Sequence, residues 1–226
     1  MKSIRLVVLF VFFISVKSFS QDFSRVTSGI DLGLGYQDKV WVPSVTYHQE
    51  LSLSNFPWFR IGWGVRGWGY YAGRTDMLPK TSALNADTLK FGKISTNGAS
   101  FLLGANVRLW KFDIGANTDL FGIAFGLKRS ALYAGGGLSG KGGDHYNSYL
   151  KSGPATLNAL PLFMDKQNGQ SEAYVRFWIT DRIGVKVAFV HGRVTYASPE
   201  KLINRQTRYS TTYGVPYVAL AFPLYN

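Results

Sequence analysis

Apolar residues alternate with polar residues or glycine along most of this chain, from about Val26 to Leu224, in roughly eight segments. Phe59, Ile61, Trp63 and Val65 interleave with Arg60, Gly62, Gly64 and Arg66, and a period of two puts each set on its own face of an extended strand. The pattern predicts strands over 26–36, 40–53, 57–71, 92–110, 112–127, 171–180, 183–197 and 209–224. Each meets the length of about 9–11 residues that a tilted strand needs to cross a membrane. Leu120 to Leu127 is apolar on both faces, which points to a bulge in the fifth segment.

The connections alternate in length. Asn55-Phe56-Pro57, the surroundings of Lys111, and Thr180-Asp181-Arg182 are tight, whereas 72–91, 128–170 and 198–208 are long. Gln37 to Lys39 is a short exception on the long side. Outer-membrane barrels show this asymmetry, with short periplasmic turns and long extracellular loops. An even strand count leaves both chain ends on the periplasmic side. Ten strands result if part of 128–170 forms a further hairpin.

Alternation does not say whether the apolar face looks outward into lipid or inward to a soluble core. A soluble barrel covers its outer face with Lys and Glu. Here only 17% of the chain is charged, and the polar face is mostly glycine with scattered Asn, Thr and single charges. Trp41, Tyr47, Phe59, Trp63, Phe101, Phe177 and Phe189 keep phase with the aliphatic positions, and aromatics near strand ends fit interfacial girdles. In lipid every backbone donor and acceptor must be paired within the protein, so such strands close into a barrel whose first and last members pair.

The first twenty residues read as an export signal: Lys2 and Arg5, an apolar stretch from Leu6 to Val16, and a cleavage point after Ser20. Eleven residues, ten of them apolar, are too few for a spanning helix, which needs about 20. The expected organisation is a signal over 1–20 and one barrel domain over 21–226. Without cysteine the chain has no disulfide, thiolate metal site or lipid-acceptor thiol. Removing Lys2, Arg5 and Lys17 from 25 basic residues leaves 22 against 13 acidic ones, a net charge of +9. For an exported protein that charge faces lipopolysaccharide phosphates and acidic glycans. No basic run interleaved with aromatics suggests nucleic acid.

The last segment, Tyr217-Val218-Ala219-Leu220-Ala221-Phe222-Pro223-Leu224-Tyr225-Asn226, resembles the assembly signal that ends outer-membrane barrels. With the export signal and the strand count, it makes residues 22–226 similar to the small outer-membrane β-barrel proteins of Gram-negative bacteria, the family of the OmpA membrane domain and OmpX-like proteins. The resemblance implies an all-β, closed, antiparallel transmembrane barrel of eight strands in the outer membrane.

On the polar phase, Arg60, Arg66, Arg108, Arg176 and Lys186 meet Asp31, Glu50, Asp113, Asp119 and Glu172. An eight-stranded barrel is just wide enough for side chains to fill it, so these charges are expected to pair in a plugged lumen. His48 and Glu50 share that face, a spacing suited to acid–base chemistry. Ser44 and Ser52 are each about 13 Å from His48 along an extended strand, too far for a nucleophile, so no catalytic residue is assigned. His191 lies near the external end of its strand. Barrel lipid A deacylases carry a serine two residues after their histidine; Arg193 stands there instead, better suited to anchor a lipid phosphate. Gly135-Gly136-Gly137-Leu138-Ser139-Gly140-Lys141 lacks the P-loop frame, and three histidines, His145 among them, give no metal-ligand spacing. In the long connection, Leu160, Leu162, Phe163 and Met164 are unusually apolar for a loop, and with Arg193 are the binding candidates. The expected function is a non-enzymatic structural or binding role without cofactor. Its loops would contact outer-membrane lipid, lipopolysaccharide or a partner protein, the last as a subunit of a larger outer-membrane complex; a small passive pore and a lipid A modifying enzyme are the alternatives.

Overall fold

The computed structural model describes residues 23–79, 88–134, 147–159, 167–199, 202 and 207–225. The expected export signal, His145 and the apolar run from Leu160 to Met164 lie outside the described residues. The described part is all-β and antiparallel, with thirteen strands: β1 (Phe23–Gln37), β2 (Val40–Leu53), β3 (Phe56–Ala72), β4 (Thr75–Pro79), β5 (Thr88–Phe91), β6 (Ile94–Leu109), β7 (Phe112–Phe125), β8 (Arg129–Ala134), β9 (Tyr149–Pro154), β10 (Leu157–Ala159), β11 (Gly169–Thr180), β12 (Ile183–Ala197) and β13 (Arg208–Tyr225).

The expected count of eight, or of ten, is not matched. Twelve of the strands pair into one closed ring, and β10 adds to the edge of β7. The eight long strands lie over the eight expected segments, but the connections 72–91 and 128–170 are not plain loops, because they contribute β4, β5, β8, β9 and β10. Their runs of three to six residues are too short to stand out as a period of two.

A seam divides the ring. β12 and β13 pair directly from Gly184↔Ala221 to Ala197↔Arg208. On one side of this seam the circuit runs through β1, β2, β3, β6, β7 and β11; on the other it runs through β4, β5, β8 and β9. The second, six-membered circuit stands at the end that carries the long connections. One rung there, Pro79–Tyr209–Tyr196–Pro154, crosses four strands. Pro216, which has no N–H to donate, stands just beyond Tyr217, the last residue of β13 that pairs with β1.

Local chemistry sets the turns and bulges. Asp38 and Lys39 both have positive φ, 47° and 67°, as a two-residue type I′ reversal requires. The bulge expected in 120–127 falls at Leu120: Asp119 faces Leu102 and Phe121 faces Phe101, leaving Leu120 without an opposite residue.

Candidate functional site

Alternation turns the polar phase of the long strands inward, and all ten expected charges lie there. Arg66 reaches Asp119 at 3.1 Å and Glu172 at 3.1 Å, and also bonds Asn117. Glu172 passes to Lys186 Nζ at 2.7 Å, which holds Asp31 at 2.7 Å. Asp31 meets Arg176 at 3.3 Å, and Arg176 also reaches Glu50 at 3.1 Å and Asp113 at 3.4 Å. Arg60 joins Glu50 at 3.4 Å, and Arg108 grips Asp113 through Nε at 2.7 Å and Nη2 at 3.1 Å. One unbroken chain of alternating sign therefore links five cations to five anions. All but Arg108 are buried. Aromatics border it: Trp178 Nε1 donates to Asp113 at 2.7 Å, and Lys186 lies 5.2 Å from the Tyr174 ring centroid and 5.6 Å from that of Tyr217.

His48 sits inside this chain, with Nε2 3.3 Å from Arg176 and 3.6 Å from Glu50. Ser44 is committed elsewhere, its hydroxyl 2.8 Å from that of Tyr217. The imidazole is held among Asp31, Arg176 and Glu50, and Thr46 is a hydroxyl that lines the same space. Next to it is a cavity of about 30 Å³ lined by Asp31, Thr46, His48, Glu50 and Asn106 among others, room for about two waters. Asp31 Oδ1, Thr46 Oγ1, His48 Nδ1 and Asn106 Oδ1 make no hydrogen bond within the protein, a polar lining that suits water. Among the described residues no cluster of His, Asp and Glu has the geometry of a metal site.

Towards the long connections the filling changes. Met77, Leu89, Phe91, Ala131, Tyr133, Val194, Tyr196 and Tyr209 are almost wholly buried inside the six-membered circuit and pack on Val42, Trp68, Tyr70 and Ile94 of the long strands. Tyr196 donates to the Ser95 carbonyl at 3.0 Å, and its ring lies 4.9 Å from Phe91. Asn168 ties the ends together, donating to Ala155 O at 2.5 Å and accepting from Thr195 N at 2.8 Å.

Outside, the arrangement is inverted. Leu32, Val45, Val65, Leu103, Ile123, Val175, Val187 and Leu220 are among the exposed residues of all eight long strands. Trp58, Trp110 and Phe112 are exposed near the short turns, and Tyr36, Trp41, Tyr71 and Phe125 near the other end. Trp110, 81% exposed, occupies a tight turn at φ 57°. Among the described residues, the outward positions between these two levels carry no Asp, Glu, Lys or Arg up to Arg193. Beyond them, the described residues carry Lys39, Arg74, Lys90, Lys93, Lys128, Lys151, Arg193 and Arg208 against Asp38 and Asp76, while Arg129 shares the inward phase of Ala131 and Tyr133. The described part of the long-connection end is therefore basic. Of the binding candidates, only Arg193 is among the described residues. It is half-buried on the outward side of β12, opposite Gly169 and Thr212.

No family model matches the chain, and no curated protein matches it. Among solved structures, CdiB from Acinetobacter baumannii is weakly similar, with 9% identity and a TM-score of 0.12 over 88% of this chain and 60% of that one. The chain thus covers less than two thirds of that protein, and a likeness this slight carries no argument about function. Among the described residues no helix is long and apolar enough to cross a membrane, which says nothing about strands.

Proposed function

We propose that this chain is a non-enzymatic outer-membrane β-barrel, built on the eight long strands, whose sealed interior makes it a rigid stand for the basic, six-membered circuit at its outer end. The observation that carries this reading is the inversion of polarity: an apolar exterior all round, with ten charges paired inside. In water that exterior would be a far larger apolar surface than soluble monomers expose, whereas in lipid it is the required one. On β3, Phe59 and Tyr71, which share the outward phase, are about 40 Å apart along the strand and about 30 Å along the axis at a tilt of ~40°. That brackets a hydrocarbon layer of about 25–30 Å with aromatics at both edges.

The paired charges act as filling: each lost hydration shell is replaced by opposite charge, so the lumen is solid. The small cavity beside His48 speaks against a passive pore, and the Ser171 hydroxyl opposite His191, bonded to Thr118 at 2.8 Å, speaks against a lipid A modifying enzyme. Outer-membrane lipid and lipopolysaccharide are the proposed contacts of the basic end, with a partner protein as a further one.

Two measurements on the signal-free protein test this. Refolded into detergent, it should migrate differently on a gel when unboiled and boiled, and in a planar bilayer it should give no stable openings. Monodispersity in plain buffer, with identical migration, would overturn the membrane reading; steady conductance would overturn the sealed interior.

A further inference from the structure

The outer wall is not uniformly bulky. Across β6, β7, β11 and β12 two adjacent rungs read Ala105–Ala116–Ala173–Phe189 and Leu103–Thr118–Ser171–His191. Their small side chains leave a groove of about 400 Å³, bordered by Leu103, Phe189 and His191, within the range of about 300–1,000 Å³ seen for ligand sites. Thr118 and Ser171 hydroxyls bond each other at 2.8 Å, so both are satisfied without water and an apolar occupant leaves neither stranded. Phe189 keeps the groove open because its ring leans the other way, lying over Gly214 of β13, where a Cβ would come within 2.7 Å of ring Cζ. The upper end is polar. His191 is exposed there, and Arg193 follows on the same outward face, about 7 Å further along the strand.

An apolar trough bordered above by His191, with Arg193 two residues further on the same face, matches an amphiphile with a hydrocarbon tail and a phosphate head. We infer that this groove binds one phosphate-bearing lipid of the leaflet at the long-connection end, its acyl chain along Ala116, Thr118, Ser171 and Ala173 and its phosphate at Arg193. The inference rests on the membrane reading above, which places the groove in lipid. Charge selects the occupant: a zwitterionic lipid fills the trough equally well but gains less at Arg193, by about fivefold for one basic side chain near an anionic headgroup.

The experiment uses the full mature chain refolded into phosphatidylcholine vesicles doped with spin-labelled phosphatidic acid or spin-labelled phosphatidylcholine, read by electron paramagnetic resonance. The expected result is a motionally restricted fraction for both lipids, with about fivefold preference for phosphatidic acid at a single site. Arg193→Gln should abolish the preference. Ala173→Leu, or Ala116→Leu should that variant fail to fold, should abolish it by filling the trough, while Lys111→Gln at the opposite end leaves it intact. Equal restriction of both lipids, or a preference that survives these variants, would overturn the site while leaving the membrane reading standing. So would a doubled mass in detergent without selectivity, which means that a second copy covers the groove. No restricted lipid of either kind would remove the membrane reading as well.

Discussion

The two halves of the interior are filled by opposite chemistry. Near the short turns it is ionic, the chain running from Asp119 through Arg66, Glu172, Lys186, Asp31, Arg176 and Asp113 to Arg108. Near the long connections it is a hydrophobic core with tyrosines, Met77, Leu89 and Phe91 against Tyr133, Tyr196 and Tyr209. The difference follows from what surrounds each half. Where the exterior must be apolar, the charges have nowhere to go but inward, and only mutual pairing makes that burial tolerable. Where the six-membered circuit rises past the apolar level, its exterior carries Lys90 and Lys151, so polarity returns to its usual sense and the inside can be greasy.

The sharpest way to break this contrast is to remove a cation shared by several anions. Arg176→Met strips Asp31, Glu50 and Asp113 of a partner at once. Breaking a buried pair costs about 3–5 kcal/mol because a charge is left uncompensated. The urea midpoint of the protein in micelles should fall accordingly, for the whole barrel together; a change under 1 kcal/mol, on the order of a surface pair, would mean that water already screens the ionic half.

In the other half the corresponding change is Leu89→Ala, which opens a void at a wholly buried position on β5. The expected cost is about 3 kcal/mol, and it should stay local. Limited proteolysis should begin in 72–91 or 128–170 while the unboiled band of the long-strand barrel persists. Loss of both together would show that the six-membered circuit is an integral wall and not a separately opening unit.

Much of this contrast was hidden in the sequence for a physical reason. The eight long strands were legible because Phe59 to Arg66 and its counterparts keep a strict period of two, and the ten inward charges were legible from the same phase. The aromatic filling was not. Trp68 and Tyr70 continue the inward phase of Arg66, and Tyr213 and Tyr217 sit in that phase on β13, yet a glycine-rich polar face looks like a thin lining. The glycines make room instead: Tyr217 lies against Gly33 and Tyr213 against Gly192, while a Cβ on Gly98 would come within 2.5 Å of Trp68 Cζ2, so rings cover the neighbouring strand's glycine. The seam and the six-membered circuit were illegible because β4, β5, β8 and β9 are short and pair with strands distant in sequence, which no local period reveals.

Gly98→Val tests that packing with a smaller effect. The added side chain must displace the Trp68 ring, whose Nε1 donates to Ser100 Oγ at 3.0 Å, and the new Cβ also meets the Ile123 carbonyl oxygen at 2.8 Å. Overpacking of this kind costs about 1–3 kcal/mol. A blue or red shift of tryptophan emission should accompany the lowered midpoint; unchanged emission and midpoint would mean that Trp68 does not rest on Gly98.

The smallest change probes the border between the halves. Tyr217 belongs to both: its ring rests on Gly33 and lies 5.6 Å from Lys186 Nζ, while its hydroxyl meets Ser44 at 2.8 Å. Tyr217→Phe keeps the ring, and with it the packing and the cation–π contact, and removes one buried hydrogen bond, so about 1 kcal/mol is expected. Tyr217→Leu removes the aromatic face as well and should cost more. If the phenylalanine variant falls as far as Arg176→Met, the hydroxyl is part of the ionic chain and that chain reaches higher than the ion pairs alone indicate. If it costs nothing, the ring alone forms the border, and Ser44 has found water in place of the phenol.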